Sequence, residues 1–129
     1  MLKKLLFTTL LLTSVFGSNL FATETPKISA SDYFANKENY QVLDVRSAAE
    51  FNDGHIAGAI NVPHLEIDSH IQQLKAIKKP LVVHCRSGRR AITAEASLAK
   101  HGITNFVHLD GDIKGWKANN LPLVSNNKD

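Results

Sequence analysis

The most constraining feature of this sequence is a short apolar run, LVVH at residues 81–84, which follows Pro80 and leads directly into Cys85. A strand with apolar side chains at consecutive positions is buried on both faces, which is typical of a central strand in a parallel sheet. Cys85 would then lie at the carboxyl end of that strand, where open α/β sheets bind their ligands. The run therefore predicts a fold class and the location of a site.

Strand-like and helix-like patterns alternate along the rest of the chain, which indicates one α/β domain. Extended segments or strands are predicted at 25–29, 41–45, 59–62, 81–84 and 105–109, and helices at 31–35, 47–51, 67–77, 89–100 and 113–118. Ser47 and Glu50 have the spacing of a capping box. In the helix 89–100 the apolar stripe is predicted at Ala91, Ala94 and Leu98, with Ile92, Ala96 and Ala99 beside it.

The first 22 residues differ from the rest of the chain. Lys3 and Lys4 precede an apolar run at 5–16, and small residues follow it, which is typical of a secretory signal peptide. The run is short for a membrane span, and an uncleaved anchor is the alternative. We expect a signal peptide at 1–22, a mature domain at 23–129, a periplasmic location and no stable membrane association after cleavage.

Charge and cysteine content narrow the possible functions. Removing residues 1–22 takes away two lysines and no acid, so the formal net charge falls from +3 to +1. No basic stretch is interleaved with aromatic residues, so we expect no nucleic-acid partner. Cys85 is the only cysteine, and a free thiol in an exported chain favours a functional reason for keeping it, although a small buried hydrophobe is the alternative.

The segment after Cys85 has the composition of an anion-binding loop. Residues 86–90 are predicted to turn from strand to helix, so that backbone N–H groups converge on one point. Gly88 suits a sharp turn, and three arginines within five residues attract anions. Because a helix N-terminus and arginines stabilise a thiolate, Cys85 is the candidate nucleophile. The candidate substrate-binding residues are Arg86, Ser87, Gly88, Arg89 and Arg90.

Several motifs occur in a defined order along the chain. They are Leu43-Asp44-Val45-Arg46, Glu50-Phe51, Gly54-His55-Ile56-Ala57-Gly58-Ala59, Asn61, Pro63, Cys85-Arg86-Ser87-Gly88-Arg89-Arg90-Ala91, Asp110-Gly111 and Gly115-Trp116. The ordered set resembles the single-domain rhodaneses, the thiosulfate sulfurtransferase family, in an exported bacterial form. The resemblance covers about residues 28–123.

This resemblance implies a rhodanese-like open sheet of about five mostly parallel strands with helices on both faces. It also implies a covalent persulfide on Cys85, with no separate cofactor. A sulfane sulfur would pass from thiosulfate or a similar small anionic donor to Cys85, and then to cyanide or a thiol acceptor. We expect a monomer.

The resemblance also implies roles for individual residues. Arg86 would bind the sulfonate oxygens of the donor, and Ser87 stands where some members have lysine. Arg90 would either contact the substrate, which we favour because guanidinium groups suit oxyanions, or pin the loop to an acidic neighbour. Asp112 replaces the second glycine of the final motif and would narrow the site or change the loop geometry.

Other polar residues are expected to be structural. Asp44, Arg46 and Glu50 would support the loops through a buried pairing of Arg46 with Glu50 or Asp44, rather than act as acid-base catalysts. His55 is expected to be a packed loop histidine. No histidine spacing resembles a zinc ligand set, so no metal is expected.

Two alternative functions stay open. Tyrosine and dual-specificity phosphatases carry a cysteine and an arginine with five residues between them, whereas Cys85 and Arg90 enclose four. The shorter loop favours sulfur over phosphate, with a small oxyanion phosphatase or an arsenate reductase-like enzyme as the alternative. A non-catalytic rhodanese-like binding module is the second alternative, because a fold alone does not establish a function; the presence of Cys85 favours the enzyme.

Overall fold

A computed structural model of the chain describes residues 24–127, and the signal peptide predicted at 1–22 lies outside the described residues. The strands are β1 (Lys27–Ile28), β2 (Gln41–Asp44), β3 (Ile60–Asn61), β4 (Leu81–His84) and β5 (Phe106–Leu109). The helices are α1 (Ala30–Ala35), α2 (Ala48–Asp53), α3 (Ile71–Lys75), α4 (Arg89–Lys100) and α5 (Asp112–Ala118). Short 3₁₀ turns occupy Lys37–Asn39, His64–Glu66 and Asp68–His70. Within 24–127, no helix combines the length and the hydropathy needed to cross a membrane.

The sheet has five parallel strands in the order β1-β5-β4-β2-β3. The central strand β4 pairs with β2 on one side and β5 on the other, and all four of its residues are buried. Parallel neighbours require crossover connections, and most of the helices lie in those connections. The predicted α/β fold with a parallel sheet is confirmed.

Two apolar cores lie on opposite faces of the sheet, since successive side chains of a strand point to opposite sides. Leu81 and Val83 of β4 belong to the core formed with α3 and α4. Val82, between them, belongs to the core formed with α1 and α5, which contains Tyr33 and Trp116. Helices therefore cover both faces, as the consecutive apolar residues of β4 require.

One predicted helix is shorter than expected. The spacing predicted a helix at 67–77, but α3 covers only Ile71–Lys75 and 3₁₀ turns precede it. The Glu66 carbonyl accepts a hydrogen bond from the ring Nδ1 of His70 and not from its backbone N–H. The backbone N–H of His70 donates to the carbonyl of Ile67. A bond between residues three apart defines a 3₁₀ turn, which keeps Ile67 and Ile71 buried without a continuous α-helix.

Helix α4 has the predicted bounds but a narrower apolar face. Ala91, Ala94 and Leu98 are buried as predicted, whereas Ile92 is 68% exposed. Ala96 and Ala99 are exposed as well, so the second stripe does not contribute to the core. The buried face of α4 instead includes Glu95.

A pair of substitutions in α4 tests the position of the core. Leu98→Ala removes a fully buried side chain and should lower the free energy of unfolding by about 3 kcal/mol. Ile92→Ala, the exposed control on the same helix, should change it by less than about 0.5 kcal/mol. Urea unfolding followed by Trp116 fluorescence measures both, and equal losses in the two variants would contradict the packing described.

Candidate active site

Cys85 follows the last residue of β4, and its side chain is only 1% exposed. The loop that leads into α4 returns over the sulfur, so that the backbone N–H of Gly88 donates to Cys85 Sγ at 3.0 Å. Gly88 has a φ of +115°, and a side chain there would place its Cβ 3.2 Å from Asp112 Oδ2. This position therefore requires glycine for both conformation and space.

The first turn of α5 holds the backbone of Cys85 from both sides. The Cys85 N–H donates to Asp112 Oδ1 at 2.9 Å, and the Cys85 carbonyl accepts the N–H of Ile113 at 3.1 Å. The next residue is held as well, because the N–H of Lys114 donates to the Arg86 carbonyl at 3.2 Å. The backbone position of Cys85 is thus set by α5 as much as by the strand that precedes it.

His84 adds another hydrogen bond to the same carbonyl. Its Nδ1 lies 2.8 Å from the Cys85 oxygen, and since a carbonyl only accepts, Nδ1 carries the proton. Burial lowers the pKa of His84, against the influence of the nearby Asp44 carboxylate. The neutral ring leaves Nε2 without a hydrogen-bond partner among residues 24–127, at 3.6 Å from Asp44 Oδ2.

Two further side chains with little exposure, His108 and Glu95, are linked to Asp112 by hydrogen bonds. His108 Nε2 lies 3.0 Å from Asp112 Oδ2, and His108 Nδ1 lies 2.9 Å from Glu95 Oε1. The hydrogen bonds with Asp112 first, and Glu95 second, raise the pKa of His108 to about 10, so the imidazolium donates from both nitrogens. Burial raises the pKa of Asp112, but hydrogen bonds from His108 and the Cys85 N–H outweigh that effect and leave it below the ordinary value.

Glu95 and His108 were not among the site residues predicted from sequence. Two signals pointed to them: Glu95 lies at helical spacing on the face that carries Ala91 and Leu98, and His108 is four residues before Asp112. Neither signal is specific, because the pairing requires α4, β5 and α5 to meet in space. For Asp112, the structure gives a bond to the Cys85 amide, and the two effects expected from sequence, a narrower site or a changed loop geometry, stay predictions.

Arg90 and Glu50 form a bidentate ion pair across the loop. Arg90 Nη1 and Nη2 donate to the two carboxylate oxygens of Glu50 at 2.7 and 2.9 Å, an arrangement that specifies geometry as well as energy. Hydrogen bonding from Arg90 lowers the pKa of Glu50 to about 2. The structure thus places Arg90 on an acidic neighbour, which pins the loop, and its contact with substrate stays a prediction.

Arg46 pairs with Asp44 rather than with the Glu50 carboxylate. Its guanidinium donates to Asp44 Oδ2 at 2.6 Å, and the carbonyls of Gly54 and Glu50 accept from it at 2.7 and 3.4 Å. Both side chains are buried. Of the two pairings considered from sequence, the structure contains the one with Asp44, and this pair ties the end of β2 to the segment after α2.

The remaining candidate residues face solvent. Arg86, Ser87 and Arg89 are exposed, and within 24–127 none of their side chains is hydrogen bonded or ion paired. Arg86 and Lys117 line a cavity of 350 Å³ beside the loop, within the size range of small-molecule sites. Ser87 and Arg89 line a second, larger depression on the side of α4 and β5.

His55 is packed in a loop as expected. Its ring stacks on Phe51 with centroids 3.8 Å apart, and Nδ1 lies 2.7 Å from the Phe51 carbonyl. No three His, Cys, Asp or Glu side chains in the described part of the chain are placed to hold a metal ion; the expectation of no metal stays a prediction.

The charge of His108 predicts a pH dependence of stability. The folded protein raises the pKa of His108 from 6.5 to about 10. The contribution of the charged His108 to the free energy of unfolding is therefore complete below pH 6.5 and is lost as the pH rises through about 10. Replacement by His108→Gln should therefore flatten the decline in unfolding free energy across this interval, measured by urea unfolding at several pH values. His101→Gln, in an exposed pair with Asp68, is the control, and an unchanged decline in His108→Gln would contradict the assignment.

Comparison with known proteins gives a consistent result. The family model for the Rhodanese-like domain matches residues 30–119. The uncharacterized protein YibN of Escherichia coli strain K12 is 37% identical over 91 residues, which span 69% of this chain and 64% of YibN. A protein of Allochromatium vinosum named sulfurtransferase is 31% identical over 97 residues, 75% of this chain and 90% of that protein.

A solved structure agrees with the fold and with the sequence match. The crystal structure of a rhodanese-related protein from Thermoplasma volcanium superimposes with a TM-score of 0.66 at 33% identity, covering 77% of this chain and 97% of that one. The match of the family model extends from α1 through α5 and includes Cys85 and its loop. The chain therefore belongs to the Rhodanese-like domain family.

Proposed function

We propose that this protein is a sulfurtransferase that moves a sulfane sulfur from thiosulfate or a similar anion, through a persulfide on Cys85, to cyanide or a thiol. The observation that carries the proposal is the position of Cys85 at the carboxyl end of β4, with the Gly88 N–H on its sulfur. The Allochromatium vinosum relative that is named sulfurtransferase, at 31% identity, supports the same proposal.

The reaction consists of two displacements at sulfur. In the first, the Cys85 thiolate attacks the outer sulfur of thiosulfate, the sulfur–sulfur bond of the donor breaks, and sulfite leaves with the electron pair. In the second, an acceptor thiolate or cyanide attacks the outer sulfur of the persulfide and releases the Cys85 thiolate. Charge and atoms balance in each step, and neither step requires an external oxidant or reductant.

Several features of the described residues support these steps. The Gly88 N–H stabilises negative charge on sulfur. Arg86 and Lys117 at the 350 Å³ cavity, and Arg89 on the other side of the loop, provide positive charge for an anionic donor. The low exposure of Cys85, 1%, suits a compact donor better than a bulky one.

The geometry around Cys85 supports phosphatase chemistry less well than sulfur transfer. Four residues separate Cys85 from Arg90, and the Arg90 guanidinium is already engaged by both oxygens of Glu50. An arginine in a bidentate pair has few donors left for a phosphate group.

The proposal also includes a periplasmic location, which rests only on the sequence pattern of residues 1–22.

Persulfide formation is the direct test. Intact-mass spectrometry of the purified protein after thiosulfate treatment should show one added sulfur atom, and cyanide should remove it as thiocyanate. Cys85→Ser should show neither change while keeping its circular dichroism spectrum and melting temperature. Since Cys85 is the only cysteine, an adduct identifies the site, and the absence of both adduct and thiocyanate in the wild type would refute the proposal.

The role of Arg86 gives a second test. Because it is exposed and unpaired among residues 24–127, Arg86→Ala should raise the KM for thiosulfate about tenfold, the effect of losing one or two charge-assisted hydrogen bonds. Lys100→Ala, an exposed cation at the other end of α4, is the charge-matched control. Steady-state thiocyanate production measures both variants, and equal KM values for the two would rule out a donor contact by Arg86.

A further inference from the structure

We propose that Asp112, oriented by His108 and Glu95, is a positioning residue that holds Cys85 in the arrangement with Gly88 from which the sulfur reacts. The effect of Asp112 on the reaction rate rests on the proposed sulfur transfer, whereas its effect on the position of the Cys85 backbone does not. Asp112 acts through the main chain, with no contact to the transferred sulfur. Three features of the molecule support this role: a backbone N–H group beyond the end of the β4–β5 ladder, the left-handed backbone conformation of Asp112, and the buried hydrogen bonds behind its carboxylate.

The first feature is the amide of Cys85. The ladder between β4 and β5 ends at the pair Val83 and His108, so the N–H of Cys85 lies beyond it. Its acceptor is the side chain of Asp112, at 2.9 Å. A buried N–H without an acceptor costs free energy comparable to a lost hydrogen bond, so the Asp112 carboxylate takes the place of a sheet partner.

The second feature is the conformation of Asp112 itself. Its φ is +56°, in the left-handed region, where residues other than glycine are uncommon. The sequence resemblance places a glycine at this position, which would adopt this conformation without strain. An aspartate in its place persists because its side chain makes bonds that glycine cannot make, and such strained positions concentrate at functional sites.

The third feature is the pair of side chains behind Asp112. His108 from β5 lies between the carboxylates of Asp112 and Glu95, with hydrogen bonds to each. All three side chains are at most 10% exposed. Both ring nitrogens of His108 are engaged, which orients the Asp112 carboxylate: Oδ1 accepts from the Cys85 amide and Oδ2 accepts from His108 Nε2.

Asp112 thus holds one of the two backbone positions that define the environment of the sulfur, Cys85, and its carboxylate borders the space that a side chain on the other, Gly88, would enter. Cys85 carries Sγ, and Gly88 donates its N–H to Sγ. A small displacement of either one changes the distance and the angle between them, and catalytic rates are sensitive to such displacements. In the proposed function Arg86 and Lys117 bind the donor at a cavity that Asp112 does not line, so loss of Asp112 should lower kcat and leave KM unchanged.

Kinetics of two variants at one position test the proposal. Asp112→Gly removes the acceptor and relieves the strained φ, and kcat for sulfur transfer should fall about tenfold with KM unchanged. Asp112→Asn retains an Oδ1 acceptor and tolerates the left-handed region, and it should keep kcat within about twofold of the wild type. Asp32→Gly, the same substitution at an exposed residue of α1 that lines neither cavity, is the control and should match the wild-type kcat and KM.

Each kinetic outcome decides the question. A wild-type kcat in Asp112→Gly would overturn the proposal, as would a loss in Asp112→Asn equal to that in Asp112→Gly. Melting temperatures accompany the kinetics; should Asp112→Gly not fold, the Asp112→Asn result alone decides, because full loss of transfer in a folded Asn variant contradicts the role of the acceptor.

Amide hydrogen exchange separates this proposal from the proposed function. In ¹⁵N-labelled protein without substrate, the Cys85 N–H should exchange at least about tenfold faster in Asp112→Gly than in the wild type, whereas Asp112→Asn should retain protection and Val83 should be unchanged in both. If the wild type forms no persulfide, the sulfurtransferase proposal fails while the exchange result still tests the hold on Cys85. Unchanged protection of the Cys85 amide in Asp112→Gly would overturn the positioning role.

Discussion

The burial of β4 on both faces is the constraint on which the rest of the structure depends. A strand with apolar residues at consecutive positions needs a core on each side, and parallel pairing with β2 and β5 needs crossover connections. Helices α3 and α4 complete one core, and α1 and α5 complete the other. Because both neighbours run parallel to β4, its carboxyl end opens at the edge where the loops after β2 and β5 also emerge, and Cys85 lies at that edge.

Around Cys85, each of the two strands that flank β4 contributes a different kind of support. The segment after β2 provides the Arg46–Asp44 pair and places Glu50 against Arg90, which anchors the far end of the loop. The segment after β5 provides Asp112 and the N–H groups of α5, which hold the near end. With its two ends fixed, the loop leaves Arg86 and Arg89 free for solvent and anions among residues 24–127. Charges that are paired in this site are structural, and exposed charges are available for binding.

The sequence was sufficient to predict features that depend on local or periodic signals. The capping box of Ser47 and Glu50 and the bounds of α4 are confirmed, because each depends on residues near one another in the chain. The parallel sheet is confirmed as well, because the consecutive apolar residues of β4 require burial on both faces. The helix predicted at 67–77 was too long, since an apolar spacing of three and four is shared by α-helices and 3₁₀ turns. The network of Glu95, His108 and Asp112 was missed, because its members come from α4, β5 and α5 and meet only after the sheet has formed.

A persulfide on Cys85, held by the loop and by α5, is the central claim of this account. The most direct measurement is a crystal structure of the protein after thiosulfate treatment. The account predicts a second sulfur atom bonded to Cys85 Sγ, the Gly88 N–H still directed at the sulfur, and the bond from the Cys85 amide to Asp112 Oδ1 unchanged. An unmodified thiol with the donor bound elsewhere would contradict it.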